Sequence, residues 1–248
     1  MTFKPLSDRI ALVTGASRGI GAATALALAK AGAHVVAIAR TVGGLEELDD
    51  AIRAGGASAT LVPLDLKDYD GIDRLALALN ERYHRLDVLV GNAGILGVLS
   101  PLDHVEPKVW DEVMALNVTA NWRLIRAMET LLKASEAGRA VFVTSGVAVS
   151  ARAYWGPYAA SKGALNVLVR TFAAETVNTR VRVNLLNPGP TRTRMRASAM
   201  PGENPMTLPT PDVIAEKIVA MCRPDFQETG KLYDCRTERL LEFRELAT

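Results

Sequence analysis

Short apolar runs rich in β-branched residues alternate along this chain with longer segments whose apolar positions recur at helical spacing. Residues 10–14 (IALVT), 34–39 (HVVAIA), 59–65 (ATLVPLD), the middle of 86–94 (LDVLVGNAG), 139–145 (RAVFVTS) and 180–189 (RVRVNLLNPG) read as six strands. Residues 231–235 (KLYDC) read as a seventh. Predicted helices fall at 20–32, 44–56, 68–84, 107–133, 157–178 and 210–221. Gly32, Gly55 and Gly56 stand at helix ends, while Pro107, Pro157 and Pro211 stand in first turns, the last behind Thr210 as N-cap. Strands separated by helices pair in parallel, and strands that read as unbroken apolar runs are covered on both faces. The fold class expected is therefore α/β, a doubly wound, mostly parallel sheet of seven strands with helices on both faces. No linker, repeat or low-complexity tract interrupts the pattern, so residues 1–248 read as a single domain. The loop near 190–209, rich in Pro and Met, reads as irregular and suits a substrate lid.

Composition narrows the classes. The chain has 248 residues, 49% of them hydrophobic, enough for a large core. Lys and Arg total 29 against 27 Asp and Glu, a net charge of +2, which gives no electrostatic footprint for nucleic acid. The run Arg192, Arg194, Arg196 is one loop rather than a basic stripe. Apolar runs fall short of a bilayer span, and the opening MTFKPLSDR carries no apolar signal core, so a cytoplasmic protein without a membrane partner is expected. Cys222 and Cys235 lack motif spacing, as in a reducing compartment. His34, His84 and His104 are scattered, so no metal site is expected.

The loop VTGASRGIG lies between the first strand and the first helix, with Gly15, Gly19 and Gly21 spaced G-x-x-x-G-x-G. Glycines there let the backbone turn sharply and approach a pyrophosphate, which the free N–H groups of the helix end attract. In a βαβ series this is a Rossmann-type dinucleotide site; an ordinary tight turn is the plain alternative. Residues 15–19 also match G-x-S-x-G, the nucleophile elbow of α/β hydrolases, but the last histidine is His104 and no triad can follow. Ser17 is better placed to donate to a phosphate. The second strand ends in Ala39, Arg40 and Thr41, where a carboxylate would select NAD. Arg40, with Arg18 across the loop and the Thr41 hydroxyl, suits a 2′-phosphate, so NADP is expected and NAD remains possible. Asp65, beside Leu66, stands where an adenine would rest, and Asn92, Ala93 and Gly94 follow the fourth strand at the switch point. Ile20 belongs to the same cofactor-facing set.

Tyr154, Tyr158 and Lys162 are spaced four apart. Helical side chains lean toward the N-terminus, so Lys162 leans over Tyr158, whereas Tyr154 precedes the helix opened by Gly156 and Pro157. A Lys⁺ at ~4 Å in an effective dielectric of ~20 favours a phenolate by ~4 kcal/mol. That is about three pKa units at most, enough to bring a tyrosine from ~10 toward ~7. Ser145, at the end of the fifth strand, would bond the substrate oxygen. A packed aromatic with a snorkelling lysine is the alternative. Tyr154 is expected to shape a substrate pocket beside Ser145 and Tyr158, with Ile95, Leu96 and the methionines of the loop giving it an apolar character.

Together, Thr14-Gly15-x-x-x-Gly19-x-Gly21, Asn92-Ala93-Gly94, Asn117 in ALNVT, Ser145, Tyr158-x-x-x-Lys162 and NPGPTRT at 187–193 resemble the short-chain dehydrogenase/reductase family over nearly the whole chain. NAGILG, WGPYAASK and TRTRMRASA add a likeness to its YciK-like branch. The resemblance implies a catalytic set of Asn117, Ser145, Tyr158 and Lys162, with Asn117 holding a water that relays protons to Lys162. It implies further cofactor contacts from Tyr158, Lys162, Pro188, Gly189, Thr191 and Thr193. The activity implied is hydride transfer between NADP(H) and a ketone or secondary alcohol, in a homodimer or homotetramer. The family's usual Asp-Gly-Gly ending is absent, which bears on the tetramer contact. A cofactor-binding sensor that turns nothing over, and a methyltransferase on a related fold, are the rival classes.

Overall fold

The computed structural model describes residues 4–243. Eight strands form one sheet in the order β3-β2-β1-β4-β5-β6-β7-β8. They are β1 (Ile10–Thr14), β2 (His34–Ala39), β3 (Ala59–Pro63), β4 (Val88–Gly91), β5 (Arg139–Val143), β6 (Arg182–Asn187), β7 (Leu232–Asp234) and β8 (Arg239–Leu241). The first seven run parallel, and β8 returns antiparallel on β7. The expected seven strands are all present; the eighth is the second arm of a short terminal hairpin.

Strand periodicity sorts the core into two layers. Leu12, Val36, Leu89 and Phe142 face helices α3 (Tyr69–Tyr83), α5 (Ala120–Ala134) and α7 (Gly156–Glu175). Val13, Val35, Val90 and Val141 face α1 (Gly19–Lys30), α2 (Val42–Ala54) and α9 (Pro211–Cys222), while the one-turn helix α6 (Val147–Ser150) lies between β5 and α7. Successive strand residues point to opposite faces, so an all-apolar strand feeds both layers. Each fully buried Leu or Val in either layer contributes about 1.5–3 kcal/mol relative to exposure. Among the described residues no helix is long and apolar enough to cross a membrane.

Two elements near the cleft depart from the expected pattern. The stretch predicted as one helix over 107–133 is α4 (Pro107–Met114), a π-helical turn over Ala115–Thr119, and α5. The segment 190–209 is not wholly irregular: it contains the helix α8 (Arg194–Ala199), capped by Thr193 accepting from the Arg196 N–H at 3.2 Å. Because β1 pairs with β2 on one side and β4 on the other, the chain order reverses at β1. A crevice opens at such a switch point, beyond the carboxyl ends of the strands.

Candidate active site

A cleft of about 1010 Å³ occupies this crevice. Its floor is set by the Thr14 hydroxyl, which donates to the Val90 carbonyl at 3.2 Å and accepts from the N–H groups of Asn92 and Ala93, both at 3.0 Å. Asn92 returns the tie, its Nδ2 donating to the Thr14 carbonyl at 2.9 Å. The loops after β1 and β4 are thus locked together. Gly15 has φ +66°, and a Cβ there would lie 2.9 Å from Asn92 Nδ2. A Cβ on Gly21 would lie 2.2 Å from the Gly15 carbonyl oxygen, so only glycine lets α1 start this close to the loop.

The loop leaves α1 open to an anion: no side chain caps it, and its first turn holds no acid. Ser17, Arg18, Gly19 and Ile20 line the cleft with Gly15, while Gly21 lies behind them in the helix–loop contact. Arg40, Thr41, Asp65 and Leu66 line the far end. Asp65 Oδ2 lies 3.8 Å from Arg40 Nη1. Both side chains are half-exposed, so this long pair is weakly held. The donor set, an uncapped helix start, a serine hydroxyl and two arginines, fits the phosphates of a dinucleotide.

Asn92, Ala93, Gly94, Ile95 and Leu96 continue the lining toward Ser145, Tyr158 and Lys162. Pro157 opens α7, which places Tyr158 in its first turn, and Tyr158 is nearly buried. Lys162 is also buried; its Nζ donates to the Val143 carbonyl at 2.8 Å and lies 5.7 Å from the Tyr158 ring centroid. Burial pushes the Tyr158 phenol up to about 12, only partly offset by a hydrogen bond with Ser145. Burial pushes the Lys162 ammonium down to about 8. The lysine charge alone would bring the phenol toward ~7. In the folded protein burial is the largest influence on both groups, and it disfavours both ionised forms.

Asn117 is fully buried in the π-helical turn and outside the cleft lining. Its Oδ1 accepts from the Ile95 N–H at 2.9 Å, and its Nδ2 donates to the Ile95 carbonyl at 2.9 Å and to Ser161 Oγ at 3.0 Å. The Asn121 amide donates to the Asn117 carbonyl at 2.9 Å. Asn117 therefore pins the strand-β4 loop to α7. Tyr154 has φ +72°, is 62% exposed and is not among the residues lining the cleft. The reversal before α7 places Trp155 in the lining instead, packed with Tyr158 at a centroid distance of 6.2 Å.

Pro188, Gly189, Thr191 and Thr193 line the nearer side, with Arg192, Arg194, Met195 and Arg196. Met200 packs on the Trp155–Tyr158 cluster, whereas Met206 is exposed. Asn187 opens the NPGPTRT motif, and its role is structural. Its Oδ1 accepts from the N–H groups of Gly146 and Gly189 at 3.1 and 3.2 Å, and its Nδ2 donates to Asp234 at 3.2 Å. Its place at the end of β6, directly before the Pro-Gly turn, was the available signal for that role.

A switch-point crevice with a glycine loop and a buried Tyr-Lys pair beside a serine defines a nucleotide-binding α/β protein of oxidoreductase type. The sequence profile of the short chain dehydrogenases matches residues 9–204, and the chain belongs to that family. It is similar to the oxidoreductase YciK of Escherichia coli strain K12, at 40% identity over 238 residues covering 94% of each chain. It is also similar to a short chain dehydrogenase from Shigella flexneri 2a crystallised with NADP, at 39% identity and TM-score 0.91, covering 95% of this chain and all of that one. A protein of the same class from E. coli CFT073, crystallised with NADPH, matches at 39% identity and TM-score 0.89, covering 94% and 99%.

Proposed function

We propose that this protein is an NADP(H)-dependent carbonyl reductase or alcohol dehydrogenase, acting on a ketone or secondary alcohol. The observation that carries the reading is the meeting of Ser145, Tyr158 and Lys162 in the same cleft as the glycine loop. The similar structures that hold NADP and NADPH, and Arg18 and Arg40 at the far end, support the phosphorylated cofactor. Gly15, Ser17, Arg18 and Gly19 would hold its pyrophosphate, with Arg40 and Thr41 at the 2′-phosphate. Asp65 and Leu66 would sit at the adenine. Asn92 to Gly94, Pro188, Gly189, Thr191 and Thr193 would flank the nicotinamide half. When bound, the nicotinamide supplies or accepts the hydride.

The protein's own groups handle the proton. A phenol held near 12 is protonated at neutral pH and gives its proton to the carbonyl oxygen as that oxygen gains charge. Ser145, which lines the cleft with Tyr158, would bond the same oxygen and stabilise the charge. Lys162, near 8, is mostly charged at pH 7 and restores the balance behind the phenol. Asn117 keeps the loop, the lysine helix and the cleft in register.

The test is NADPH oxidation against a broad carbonyl panel, with NADH in parallel. Turnover with NADPH, lost by at least a thousandfold in Tyr158→Phe while NADPH binding stays, is the expected result. Undiminished turnover in that variant would remove Tyr158 from the chemistry. NADPH binding with no turnover of any carbonyl would favour a sensor instead.

A further inference from the structure

We infer that Arg194 reads an anionic group on the substrate, so that the carbonyl compound taken by this site is an oxo-acid with an apolar body. This rests on the reductase function proposed for the cleft and names its substrate class.

The charges in the cleft are unevenly placed. Its lining carboxylates are Glu47 and Asp65, both at the Arg40 end. Residues 192–199 contribute Arg192, Arg194 and Arg196 and no carboxylate to the lining. Two of these cations are already committed. Arg196 makes a two-point pair with Glu203, at 2.5 and 2.6 Å. The Arg192 guanidinium donates to the carbonyls of Pro205, Met206 and Leu208. Arg194 is exposed, and its guanidinium has neither an ion pair nor a hydrogen bond with any described residue.

The same cleft also has an apolar wall. Trp155, Tyr158 and Ala199 form a buried cluster, and Leu96, Leu99 and Met200 pack on it. Arg152, which has no ion pair among the described residues, lies 5.5 Å from the Trp155 ring centroid. An apolar wall and a free guanidinium in one cleft suit an amphiphile: an alkyl chain against the indole and a carboxylate on the arginine fork. A neutral ketone would gain only the wall.

The test uses oxo-alkanoates with the carbonyl two to six carbons from the carboxylate, each paired with its methyl ester. NADPH oxidation gives kcat/KM for each, and quenching of bound NADPH fluorescence gives affinity independently of turnover. In the native protein at least one acid should exceed its ester by tenfold or more. Arg194→Met should bring that ratio toward one, chiefly through KM, and Arg194→Lys should restore part of it. The preference should also fade as salt rises, since the pair is half in water. Equal use of acid and ester by the native protein, or a preference that survives Arg194→Met, would overturn the inference. A loss of NADPH affinity in Arg194→Met with the preference intact would assign the arginine to the cofactor instead. If nothing is turned over in any variant, the reductase reading fails, and the fluorescence arm still decides whether Arg194 holds the acid.

Discussion

Lys162 imposes a stability cost that its removal should reveal. The side chain is buried, and its ammonium is held near 8 against an ordinary value of 10.5. The folded state thus resists a proton that the unfolded chain accepts. At pH 7, below both values, the shift amounts to about 3 kcal/mol of destabilisation at 1.36 kcal/mol per unit. Methionine matches the lysine stem but lacks the ammonium. It also strands the Val143 carbonyl, now bonded at 2.8 Å, at a cost of about 1 kcal/mol. Lys162→Met should therefore stabilise the protein by about 2 kcal/mol at pH 7 while abolishing turnover. The sign of the pH dependence is fixed. Between 8 and 10.5 the unfolded chain binds the extra proton, so native stability rises with pH and the advantage of the variant shrinks. Near pH 10 the two proteins should be about equal. Urea unfolding at pH 7, 8.5 and 10, read as the midpoint at unchanged m-value, measures this. A difference that stays constant with pH, or a variant weaker than the native protein at pH 7, would refute the claim that burial governs Lys162.

Two further outcomes rest on geometry. Gly21→Ala would bring a methyl group against the Gly15 carbonyl oxygen, so stability should fall by at least about 2 kcal/mol and NADPH affinity by tenfold or more, seen by thermal unfolding and fluorescence titration. Trp155→Ala should raise KM for carbonyl substrates about tenfold, whereas Tyr154→Phe should shift it less than twofold, since Tyr154 stands outside the cleft.

The strands and most helices were legible because apolar runs bounded by glycine and proline leave little choice of element. The position of Tyr158 was legible for the same reason: Gly156 and Pro157 mark the helix start, which separated it from Tyr154. The π-helical turn was not, because five residues of wider coiling hardly disturb a helical apolar pattern. Asn117 consequently looked like an ordinary helix residue. β8 is three exposed residues held by a neighbour, and α8 is too short for periodicity to register. The Arg40–Asp65 approach depends on the ends of β2 and β3 lying side by side, which pattern alone does not place. The phenol shift was missed because sequence shows the charges but not how much water surrounds them.

The segment 192–209 is fastened to itself. Its neck closes where the Arg192 N–H donates to the Pro209 carbonyl at 2.9 Å, and the Arg192 guanidinium and the Arg196–Glu203 pair brace what lies between. A piece built this way would move as one body rather than unravel. Its opening need only peel Ala199 and Met200 from Trp155 and Tyr158, leaving every internal bond whole. The same motion would carry Arg194 and Met195 with it, so substrate recognition and closure of the cleft become a single movement.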